Sequence, residues 1–131
     1  MGNLEIVRHA YESFRVNGRF VAHLATPDFV WDMSHFHGWP EEQVYAGAEG
    51  AEAFLREWTA AWDDWELHVE DLREVGEQVV ALLRQRGRSR VSGLAVDMSF
   101  AQIWTMREGK EARMDMYSDP AEALDAAGLS A

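Results

Sequence analysis

The 131 residues include 12 Lys and Arg, 23 Asp and Glu and no cysteine, for a formal charge of −11. That excludes disulfides, thiol catalysis and cysteine-rich zinc sites, and it sets the chain against phosphate backbones and anionic membranes, so neither a nucleic-acid nor a membrane partner is expected. The length suits one domain, 1–131, with a real core. Glu5, Arg8, His9, Glu12, Arg15 and Arg19 leave no signal-peptide apolar core in the first twenty residues. Apolar runs such as Val79 to Leu83 are far too short to span a bilayer, and a cytoplasmic location is the default expectation.

Residues 3–16 read as a helix, because Leu4, Val7, Tyr11 and Phe14 recur at helical spacing and Asn17-Gly18 supplies the stop. Phe20, Val21 and Leu24 suggest a short helix over 19–25 that ends before Pro27. Phe29 to Asp32 is a short strand, and 33–47 is an aromatic-rich loop long enough to cover something. The strongest helix spans 49–62, with Ala51, Phe54, Leu55, Trp58, Trp62 and Trp65 as one stripe. Strands follow over 69–75, 79–90, 94–106 and 110–118, with Gly76-Glu77 and Glu108-Gly109 at turns. Asp119-Pro120 opens a terminal helix that stops at Gly128. The order predicts an α+β fold: N-terminal helices and one long helix packed on the concave face of a cone-shaped, curved antiparallel sheet. Such a cone encloses a place for a small apolar ligand.

Asp32 is the first functional candidate, an acid closing the apolar run Phe29-Val30-Trp31. A carboxylate beside a core shifts its pKa, and shifted groups mark functional sites. His35 and His37 follow it; with Asp32 they could be drawn as a metal cluster, but a His-x-His without a partner motif is weak. A histidine bonded to Asp32 is preferred to a metal site, and at least one of the two is expected to be an exposed loop histidine. No metal or cofactor is assigned. Arg84, Arg86, Arg88 and Arg90 alternate along one strand and read as a solvated or interface face rather than an anion site. By alternation Ser99, Ala101 and Ile103 share one face and Phe100, Gln102 and Trp104 the other; periodicity alone sends the aromatic face to the core.

The chain resembles the nuclear-transport-factor-2-like superfamily, above all its SnoaL-like branch. The resemblance rests on the first helix ending in Asn17-Gly18, the Phe29-Val30-Trp31-Asp32 strand and Tyr45 to Gly50 opening the long helix. Trp104 to Lys110 and the tail Tyr117 to Leu124 complete it. Set against ketosteroid isomerases, it implies Tyr11 as an oxyanion donor and Asp32 as general base, with His35 or His37 assisting, while Ala101 stands where that enzyme has its protonated aspartate. It also implies that Ser99, Ala101, Ile103, Met114, Met116 and Ser118 line the cavity with Phe14, Trp39, Leu55 and Trp58. Phe100, Gln102, Trp104, Arg113, Asp115 and Tyr117 then face outward, as a homodimer interface. The function so implied is cofactor-independent proton abstraction next to a carbonyl, as in an isomerase or aldol-type cyclase. Non-catalytic binding of a small apolar ligand and a dimeric interaction module are the alternatives.

Overall fold

Side chains recurring every three or four residues drive two amphipathic helices onto one side of a sheet, and that side carries the larger core. The computed structural model describes residues 2–37 and 43–129. Helix α1 (Asn3–Asn17) buries Ile6 and Val7 and ends where Gly18, at φ 70°, donates its N–H to the Phe14 carbonyl at 2.6 Å. A 3-10 turn, Ala22–Leu24, leads into β1 (Ala25–Asp32), and β2 (Val44–Ala46) pairs back on it, a short strand within what the sequence suggested was loop. Helix α2 (Gly47–Ala60) crosses the sheet with Ala51, Phe54 and Trp58 buried. At Gly50 a Cβ would meet the Tyr45 carbonyl carbon at 2.8 Å, so only glycine lets α2 lie this close to β2.

Four long strands follow: β3 (Trp62–Val75), β4 (Gln78–Ser89), β5 (Ala95–Arg107) and β6 (Lys110–Tyr117). Trp62 and Trp65 belong to β3 and not to the preceding helix, since the chain leaves α2 at Ala60. Positive φ at both Glu108 and Gly109 closes the tight β5–β6 hairpin. The strand order is β2-β1-β6-β5-β4-β3, antiparallel throughout except that β1 runs parallel to β6. The sheet is therefore mixed, curved and unclosed.

Each face of the sheet has its own core. Phe29, Trp31, Leu83, Phe100, Trp104, Met114 and Met116 point inward to α1 and α2. Val80, Ala101, Ile103 and Tyr117 point outward, where α3 (Pro120–Ala126) covers them with Ala123 and Leu124. Asp119 caps α3 by accepting from the Ala121 N–H at 2.9 Å. Among the described residues, no helix is long and apolar enough to cross a membrane. Three of the four alternating arginines end in surface ion pairs, Arg84 and Arg86 on Asp97 and Arg90 on Asp63.

Candidate functional site

The inward face of the cone holds a chamber walled by rings. Tyr11 and Phe14 come from α1, Phe20 from the segment after it, and Trp31 from β1. Phe54 and Trp58 come from α2, Trp65 from β3, and Phe100 and Trp104 from β5. Edge-to-face contacts lock the walls, with Phe14 on Trp65 at 5.9 Å and Tyr11 on Trp104 at 6.0 Å. The open space is about 50 Å³. An apolar cavity that takes up benzene offers about 150 Å³, so this one holds a group of only a few heavy atoms unless the walls part. A wider groove between α1 and β3 adjoins it and shares Tyr11, Phe14, Trp65 and Leu67 with its wall.

The chamber's polar groups form a short chain. Trp104 Nε1 donates to the Tyr11 hydroxyl at 2.8 Å, and that hydroxyl donates to Gln102 Oε1 at 2.5 Å. Burial pushes the Tyr11 phenol far above its ordinary range, outweighing the Trp104 hydrogen bond that pulls it down. Gln102 Nε2 is left with the Met116 sulfur at 3.7 Å, a weak acceptor. Trp58 and Trp65 both donate to Gln85 Oε1, at 2.9 and 3.1 Å, which ties α2 and β3 to β4.

The remaining residues expected from the sequence divide between the two faces. Phe14, Leu55, Trp58 and Met116 line the chamber, and Met114 is wholly buried in the same core without lining it. Ala101 and Ile103 are not in the cavity. Leu83, Ala81 and Val79 oppose Phe100, Gln102 and Trp104, which sets the pleat so that the bulky residues fill the cone and the smaller face packs under α3. Phe100, Gln102 and Trp104 are accordingly inside, and of the outward row suggested for an interface only Arg113, Asp115 and Tyr117 point that way. Ser99 shares the outward face and is exposed; Ser118 follows the end of β6, its Oγ accepting from the His37 N–H at 3.1 Å. Trp39 lies outside the described residues.

Asp32 does not meet Tyr11. Phe29 and Trp31 point into the cone, so the alternate residues Val30 and Asp32 point out, beside Arg113 and Asp115 of β6. Arg113 binds Asp32 directly and Asp115 at 2.9 Å, and the Ser34 N–H donates to Asp32 at 2.7 Å. Burial raises the Asp32 pKa, but the Ser34 hydrogen bonds and the charges of Arg113 and His35 prevail and hold it below the ordinary carboxylate value. A carboxylate so held is a poor proton acceptor. His35 stacks on Tyr117 with ring centroids 4.5 Å apart, and His37 Nε2 lies 3.4 Å from Glu122, so both histidines belong to the outer face.

Glu111 has no counterpart among the candidates drawn from the sequence. It is 0% exposed, between Ala25 of β1 and Met106 of β5, and neither carboxyl oxygen has a hydrogen-bond partner among the described residues. Desolvation pushes its pKa up to about 8, and its charge is felt at the Tyr11 phenol.

The structural relatives share this frame. An NTF2-like protein of unknown function from Burkholderia pseudomallei K96243 superposes with a TM-score of 0.75 at 24% identity, covering 95% of this chain and 97% of that one. TerC, co-crystallized with polyporic acid, gives 0.73 at 22% identity over 96% and 98%. A putative SnoaL-like polyketide cyclase from Jannaschia sp. CCS1 gives 0.72 at 23% over 98% and 92%. No curated protein matches the sequence. The SnoaL-like domain model matches residues 7–114, which is most of the chain including both helical walls and the chamber strands, and the protein belongs to that family.

Proposed function

We propose that the protein binds a small apolar or carbonyl-bearing molecule in the aromatic chamber, with Gln102 as its polar handle. The observation that carries this is the state of the Gln102 side chain. Its Oε1 is taken by Tyr11, while its Nε2 has, among the described residues, only the Met116 thioether as a partner. A ligand carbonyl would replace that weak acceptor with a strong one. The co-crystallization of TerC with polyporic acid supports a small-molecule role for the shared frame. Titration with cyclohexanone, which enters as the chamber walls part, should saturate when followed by the fluorescence of the lining tryptophans. Gln102→Leu should weaken binding about five- to tenfold, the worth of one neutral hydrogen bond. Asp32→Asn should leave it unchanged; loss of binding in Asp32→Asn with Gln102→Leu unaffected would overturn the reading.

Proton abstraction beside a carbonyl, as in isomerases and cyclases, is the second reading. Glu111 favours it, because it is an inward-facing acid whose pKa, up to about 8, suits proton exchange near neutrality. In that reading Tyr11 and Gln102 hold the carbonyl, and Glu111, which does not line the chamber, must turn into it to take the part expected of Asp32.

A further inference from the structure

Two features of the inward side are unexplained by a neutral ligand: the orphaned acid Glu111, and the charge of the adjoining groove. We propose that the chamber takes a small organic cation, a methylated ammonium or compact protonated amine, with Glu111 as its buried counter-charge. The proposal rests on the chamber being a ligand site and names the ligand class.

A buried carboxyl with both oxygens unpartnered is costly in either protonation state: ionised it lacks a counter-ion, and neutral it lacks an acceptor for its proton. Glu111 faces inward because it pairs with Met106, the next inward residue after Trp104 on β5. It lies one inward position from Trp104 toward the β5–β6 turn; it does not itself line the chamber, but its charge reaches the chamber wall at the Tyr11 phenol. Ring faces attract cations through their quadrupoles, most strongly those of tryptophan, and Trp31, Trp58, Trp65 and Trp104 all contribute to the wall. The adjoining groove agrees in sign. Glu12, Glu66, Glu70 and Asp71 line the groove between α1 and β3 against Arg8 and Arg15. Asp71 is held by Arg73 at 2.9 Å, while Glu12, Glu66 and Glu70 make no ion pair among the described residues. A groove of net negative charge on a chain of charge −11 concentrates cations beside the wall it shares with the chamber. At about 50 Å³ the chamber takes such a head group only as its walls part, and it excludes a fused-ring skeleton.

Choline and its uncharged isostere 3,3-dimethylbutan-1-ol separate charge from shape. Titration calorimetry on the full chain at pH 8 should show choline binding at least tenfold tighter than the alcohol. Glu111→Gln, checked for folding by circular dichroism, should lose at least tenfold for choline and leave the alcohol unchanged. If the alcohol binds as well as choline, or if Glu111→Gln keeps choline affinity, the cation assignment is wrong while the chamber stands as a site for neutral molecules. If neither compound binds while cyclohexanone does, the cation assignment alone falls; if none of the three binds, both readings fall. The wild-type comparison decides the matter even if the variant does not fold.

Discussion

Glu111 is a carboxylic acid with no hydrogen-bond partner among the described residues, so rising pH should weaken the protein from within. Its pKa goes from an ordinary 4.5 to about 8 on folding. Between those values the native state holds the proton that the unfolded state has lost, so stability falls as pH rises, by up to about 1.4 kcal/mol per unit. Urea midpoints at pH 5.5, 7 and 8.5 should therefore decline for the wild type and stay flatter for Glu111→Gln. Equal slopes for the two proteins would show that Glu111 is solvated. Asp32 works in the opposite sense: its pKa is lowered, so its contribution is present at neutral pH and is lost only as pH falls through the acid range. The two acids thus act in separate windows. Asp32 was conspicuous in the sequence because it ends an apolar run, and burial followed, but the same alternation that buries Trp31 turns Asp32 away from the chamber.

At the scale of strands, one irregularity decides what the sequence could disclose. Met114 and Met116 point inward, so strict alternation would put Ala112 inside and Glu111 outside with Arg113 and Asp115. The β5–β6 register slips between Thr105 and Met106, where Thr105 pairs with Arg113 but Met106 pairs with Glu111. That bulge spends one residue and rotates Glu111 into the core. No local feature of Lys110-Glu111-Ala112 announces it. The helices, the hairpin at Glu108-Gly109 and the α3 cap were legible because each depends on residues close together in the chain. The inward face of β5 was also legible, since Phe100 and Trp104 alternate as core residues do; the resemblance to ketosteroid isomerases pointed to the other face. Trp104→Glu tests this directly. With Trp104 only 4% exposed, the variant should lose its folded circular dichroism signal, as an unpaired buried charge demands. A folded protein that merely sediments as a smaller species would instead put Trp104 at a subunit contact.

For the whole molecule, two helices cover the inner side of the sheet, while α3 covers only the patch of Val80, Ala101, Ile103 and Tyr117 on the outer side, beside the polar group of Asp32, Arg113, Asp115 and the His35–Tyr117 stack. The arrangement follows from the family pattern, which was readable over nearly the whole chain. The single parallel pairing was not, because nothing local distinguishes a strand destined to lie parallel to one more than eighty residues away. The β1–β6 pairing, with Trp31 opposite Met114, is what joins β1 and β2 to the rest of the sheet. Joining it carries the loop-closure cost of a long intervening segment, whereas β3 to β6 form a meander closed by short turns. The order of assembly should follow: pulse-labelled hydrogen exchange during refolding should protect β4 and β5 amides before those of β1, and simultaneous protection would refute this order. During synthesis the difference is sharper still, since the strand carrying Phe29 and Trp31 emerges early and has no partner on β6 until residue 114 is made. Until then its large rings can pack only on β2, Phe20 and α2, so this stretch of the nascent protein keeps apolar surface exposed that a chaperone would shield.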